Sequence, residues 1–71
     1  MKILSQITDP ASGLHKIEIQ IRYVRYIYII DSYILSQFNS IWKKSNWKAL
    51  NFIKKRCIED RKFNPKGGEN I

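Results

Sequence analysis

Polar and apolar residues alternate through the first half of this chain and then change to a helical spacing. Ile3, Leu4 and Ile7 mark Lys2 to Thr8 as a short strand. Asp9-Pro10-Ala11-Ser12-Gly13 follows. Proline fixes φ near −65° early in a turn and glycine accepts a positive φ at its end, so this segment predicts a hairpin loop. From Leu14 to Ile30 the period is two: Ile17, Ile19, Ile21 and Tyr23 share one face, and Glu18, Gln20 and Arg22 the other. That is the pattern of a half-buried strand with one wet face, and the β-branched and aromatic content agrees. The stretch is long for one strand. A break near Tyr23-Val24-Arg25 gives a third strand from Tyr26 to Asp31; no Gly or Asn marks it, so one long bent strand is the alternative.

Beyond Asp31 the spacing is helical. Asp31 or Ser32 can cap a helix by accepting a free N–H of its first turn. Ile34, Phe38 and Trp42 then form a stripe at i, i+4 and i+8 that faces a core, with Tyr33, Leu35 and Ile41 beside it. Ser45-Asn46 interrupts the pattern, and Asn46 is the expected cap of a second helix over 47–61. In that helix Trp47, Leu50, Ile53 or Lys54, and Cys57 form the inward stripe, with Phe52 next to it. Asn64-Pro65-Lys66-Gly67-Gly68 stops any helix and opens a flexible, basic, glycine-containing tail over 64–71. The expected fold is α+β, a single domain over 1–63. A two- or three-stranded antiparallel sheet, begun by the N-terminal hairpin, covers its apolar face with one or both C-terminal helices.

Size sharpens this picture. At 71 residues the chain is one small domain, and such a domain is marginally stable. Tyr23, Tyr26, Tyr28, Tyr33, Phe38, Trp42, Trp47, Phe52 and Phe63 are therefore expected to carry much of the core. Support from a partner, including a homo-oligomer, is the other route. Cys57 is the only cysteine, so the fold has no internal disulfide, and a reducing, cytoplasmic setting is expected. Arg22, Arg25 and Asp31 interrupt the richest apolar stretch, which argues against a membrane span, and the first residues lack the form of a signal segment.

Charge is uneven. The formal net charge is +7, and residues 1–40 supply only +1 of it. Lys44, Lys48, Asn51, Lys55 and Lys62 follow a spacing that lines one side of the expected second helix, with Lys54 and Arg61 bordering it. A row of ammonium groups suits phosphates, whose neutralisation releases counterions. Lysine lacks a base-reading fork, so backbone contact is expected, with Asn51 reaching a base edge or a sugar. Tyr26 and Tyr28 point to one side of the strand and are candidate stacking residues for unpaired bases, unless that side is the core. A solvated basic face is the plainer alternative. The chain is also rich in Ile, Lys, Asn and Tyr, a skew that AT-rich coding produces by itself.

Catalytic chemistry is sparse. His15 is the only histidine and is expected at a solvated rim, while Cys57 is expected to be an inert core thiol. Asp9, Asp31, Glu59 and Asp60 show no paired-carboxylate spacing, and Glu59 and Asp60 are expected to pair with Lys55, Arg56 or Arg61. No metal-ligand set is expected from one His and one Cys. Gly67-Gly68 follows no strand and is not a phosphate loop. No catalytic residue, metal or other cofactor, and no small-molecule substrate, is expected.

The run Ile7-Thr8-Asp9-Pro10-Ala11-Ser12-Gly13-Leu14, then Ile17-Glu18-Ile19, Tyr26-Ile27-Tyr28-Ile29-Ile30 and Leu50-Asn51-Phe52-Ile53-Lys54, resembles KTSC domains. These are small α+β modules, some fused to lysyl-tRNA synthetases and others standing alone in bacteria and phages. The resemblance spans residues 3–55 and implies a fold without catalytic residues. The Lys-Thr-Ser-Cys signature is absent, and Asn46-Trp47 stand where the group often has a glycine before its last helix. The expected function is a non-enzymatic basic module that contacts nucleic acid, RNA before DNA, or a ribonucleoprotein. The alternative is a phage- or mobile-element-encoded inhibitor or adaptor that docks on an acidic surface of a host defence complex, such as a CRISPR-like assembly.

Overall fold

A computed structural model describes residues 1–63. Three strands, β1 (Lys2–Thr8), β2 (His15–Ile21) and β3 (Val24–Ile30), lead into two helices, α1 (Ser32–Lys44) and α2 (Asn46–Arg56), and a last strand, β4 (Glu59–Phe63), returns to the sheet. The sheet is antiparallel with order β1-β2-β3-β4. It thus has four strands, where the alternation predicts two or three. The expected tail over 64–71 lies outside the described residues.

The first turn forms as expected. Gly13 has φ +74°, and the Asp9 carboxylate accepts from the Ala11 N–H at 3.0 Å and the Ser12 hydroxyl at 2.9 Å. The long alternating stretch breaks into two strands at Arg22-Tyr23. Arg22 takes φ 57° there, a left-handed conformation usually left to glycine, and its carbonyl accepts from the Gln20 side chain at 2.9 Å. The stretch is thus two strands, with a break that lacks Gly or Asn, but the break falls earlier than the expected Tyr23-Val24-Arg25, and the third strand runs over Val24–Ile30 rather than Tyr26 to Asp31. In β1 the register shifts between Ile3 and Ser5, a bulge that twists this edge strand.

Asp31 caps α1 by accepting from the Ile34 N–H at 2.8 Å. Ser45, not Asn46, is the hinge between the helices. Its N–H closes on the Ile41 carbonyl at 2.8 Å, and its hydroxyl caps α2 by accepting from the Lys48 N–H at 3.3 Å. Asn46 is the first residue of α2, and its amide donates back to the Trp42 carbonyl at 3.2 Å.

The second helix stops at Arg56, five residues before its expected end at 61. Cys57 is extended, with φ −67° and ψ 151°, and its N–H closes on the Ile53 carbonyl. The physical reason lies in the stripe Ala49-Leu50-Ile53-Cys57, which has no apolar successor: another turn would aim Asp60 and Arg61 at the core. The chain instead pairs its backbone with the free edge of β3, beginning with the Ile58 N–H on the Ile29 carbonyl at 2.7 Å.

Both helices contribute to one core on one side of the sheet. Ile17, Ile19, Tyr28 and Ile30 from the strands meet Phe38, Ala49, Leu50 and Ile53 from the helices. Ile3, Ile34, Leu35, Trp42, Phe52 and Cys57 pack around them. Isoleucine carries more of this core than expected, and the aromatics less. Tyr28 and Phe38 are buried, but Tyr23, Tyr33 and Trp47 are 66 %, 70 % and 59 % exposed. The Phe38 and Trp42 rings meet at 5.5 Å between centroids, as the i, i+4 stripe requires. On the helix-free side of the sheet, Ile27 and Ile29 are half-buried. There Arg25 pairs with Glu18, and Arg61 with Glu59, each at 2.7 Å.

Candidate nucleic-acid interface

The core fixes which side of α2 faces out. With Ala49, Leu50 and Ile53 buried, Lys48, Asn51 and Lys55 fall on the opposite side at i, i+3 and i+7, and all three are exposed. This central part of the expected row is present as a continuous face. The two ends of the row are not. Lys44 is the last residue of α1, separated from Lys48 by the extended Ser45. Lys62 and Arg61 belong to β4, because the helix they were assigned to ends before them. Lys62 pairs in register with Tyr26 on the helix side of the sheet. Arg61 pairs with Ile27 on the other side and is held by Glu59, so it leaves the basic face. The expected pairing of Glu59 with Arg61 is thus present.

The ion pairs among the described residues are those of Arg25 with Glu18 and Arg61 with Glu59. Lys43, Lys44, Lys48, Lys54, Lys55, Arg56 and Lys62 take part in neither. Lys54, Lys55 and Arg56 sit in the last turn of α2, where cations complement the exposed carbonyls. Arg56 also lies over the Phe52 ring at 4.4 Å. Helix electrostatics therefore account for part of the C-terminal cluster. They do not account for Lys48, which stands in the first turn.

Tyr26 and Tyr28 do share a side, with parallel rings 6.3 Å apart, but it is the core side. Tyr28 is 1 % exposed and cannot act as an open stacking platform. Burial, with help from the charges of Tyr26, Asp60 and Cys57, pushes its phenol up to about 12. Tyr26 is half-buried and lines a cleft of about 160 Å³ between α2 and β4 with Tyr28, Lys54, Asp60, Arg61 and Lys62. The sequence places these residues far apart, and only the pairing of β4 with β3 brings them together. Trp47 was also missed. It counts as inward when Leu50 leads the stripe, yet the buried Ala49 turns the stripe away from it.

His15 lies where β2 meets α1. Its Nδ1 is 2.9 Å from the Thr8 hydroxyl and its Nε2 2.9 Å from the Ser32 hydroxyl, so it ties β1 and the start of α1 together. Neither bond reaches Cys57. The Cys57 thiol, at the end of α2, is 3.7 Å from the Lys54 carbonyl and is pushed up by burial, with Asp60 adding to the effect. No group of three or more His, Cys, Asp or Glu residues suited to a metal occurs among the described residues, and no described helix is long and apolar enough to cross a membrane. A second cleft, of about 310 Å³, opens at the first turn between Ile7, Leu14, Lys16 and Ile29.

These observations define a small α+β protein with a basic helix on its outer surface. Comparison with family models finds no match, and comparisons with curated proteins and with solved structures find none either. Nothing in these comparisons bears on the expected likeness to KTSC domains.

Proposed function

We propose that this chain is a non-enzymatic binding module that contacts nucleic acid, or a ribonucleoprotein, through the outer face of α2. The observation that carries this reading is the exposed set Lys48, Asn51 and Lys55, opposite the buried Ala49-Leu50-Ile53 stripe and without an ion pair among the described residues. Lys43 and Lys44, at the end of α1, extend the positive field toward the Ser45 hinge. Ammonium groups on a rigid helix bind phosphates as point charges and leave sequence largely unread. RNA is the preferred partner because unpaired bases accompany its phosphates, and the exposed Trp47 ring stands beside Lys48 at the start of α2. The setting that suits such a module is cytoplasmic.

Affinity capture of the tagged chain from its native cells tests this reading. RNA is expected with the wild type and is expected to be lost both on nuclease treatment and in a Lys48→Ala/Lys55→Ala variant. A protein partner that survives nuclease and carries an acidic surface would overturn it in favour of an inhibitor or adaptor.

A further inference from the structure

We infer, resting on the nucleic-acid reading above, that the ligand is single-stranded and that Trp47 stacks one of its unpaired bases. Trp47 is 59 % exposed, a large exposure for a ring that costs free energy to leave in water. It stands in the first turn of α2, and Trp47, Asn51 and Lys54 follow i, i+4 and i+7. The same periodicity that builds the core stripe therefore sets a ring, an amide and an ammonium along one flank, about 10 Å from end to end. Lys54 then lines the cleft between α2 and β4, with Lys62 from the facing strand and the half-buried Tyr26. Asp60 and Arg61 also line it; Arg61 is paired with Glu59, so the Asp60 carboxylate stands against the two ammonium groups of Lys54 and Lys62. The flank thus runs from a stacking surface to a positive cleft.

The two parts impose a choice on the ligand. A base inside a duplex keeps both faces stacked and cannot cover Trp47, whereas an unpaired base can do so whatever its identity. Lys54 and Lys62 neutralise the phosphates that follow, while Asn51 offers a donor and an acceptor to a base or sugar. Asp60 gives the cleft an acceptor for a base amine. The expected ligand is single-stranded RNA or DNA with little base preference.

The test is a titration of labelled single-stranded oligouridylate and of an RNA duplex of equal length, followed by fluorescence anisotropy at several salt concentrations. Trp47→Ala is expected to weaken the single strand about tenfold, the scale of one lost base stack, without changing the salt dependence or the duplex affinity. Trp47→Phe is expected to retain most of the binding. Circular dichroism confirms the fold of each variant, which the exposure of Trp47 makes readily kept. If Trp47→Ala binds the single strand within twofold of wild type while Lys48→Ala/Lys55→Ala flattens the salt dependence, this inference is overturned and the proposed function stands. If the wild type binds neither oligonucleotide, both fall.

Discussion

Tyr28 sits at the centre of the sheet, between Ile17 on β2 and Asp60 on β4, and is buried against the helices. Its phenol belongs to the core only when neutral. Because burial raises its folded pKa from 10.0 to about 12, the stabilisation from the neutral form is fully present below pH 10 and is lost as pH rises toward 12. The free energy of unfolding is therefore expected to fall through that window in the wild type and to fall less steeply in Tyr28→Phe, measured by denaturant titration. Equal slopes would contradict the burial of the hydroxyl. Cys57 shifts in the same direction and remains in both proteins, so the difference between them reports Tyr28 together with its coupling to Cys57. At this scale, what a residue does to its own neighbours was legible. The Asp31 cap, the Asp9–Gly13 turn and the Phe38–Trp42 contact all depend on residues within four positions of one another. Trp47 was not legible, because small residues such as Ala49 carry little weight in an apolar pattern yet can define its centre.

Among the elements, β4 shows best how tertiary pairing overrides local preference. Its sequence, Glu-Asp-Arg-Lys-Phe, has no apolar alternation and follows a good helix-forming run without Gly or Pro between them. Its strand identity comes from the open edge of β3, which a sequence pattern does not display. β2 and β3 were legible because each alternates against a core, and β1 because the Asp9–Gly13 turn marks its end, while the fourth strand covers an edge with charged residues, a common device at sheet margins. Ile58→Pro separates the two assignments. Cys57 already has the extended dihedrals that a following proline favours, so the substitution chiefly removes the Ile58 N–H bond to Ile29. The expected result is a loss of about 1–3 kcal/mol with helical circular dichroism unchanged. A fall in helix signal would mean that α2 continues past Arg56.

For the whole molecule, the sheet divides two environments. The side bearing Ile17, Ile19, Tyr28 and Ile30 is closed by the helices, while the other side bears the internal ion pairs of Arg25 and Arg61. The second helix carries Lys48 and Lys55 outward, without an ion pair among the described residues, so folding turns part of a local charge excess into a basic surface. The middle of that surface was legible because Lys48, Asn51 and Lys55 share one regular element. The cleft joining Lys54, Lys62 and Tyr26 was not, since it exists only once α2 stops early and β4 returns. The most direct test of the basic surface is the dependence of RNA affinity on salt for the wild type and for Lys48→Ala/Lys55→Ala. If these lysines neutralise phosphates, the slope of log affinity against log salt becomes shallower by about 1.4 in the variant, at roughly 0.7 per phosphate of a single strand. Parallel lines for the two proteins would contradict the account.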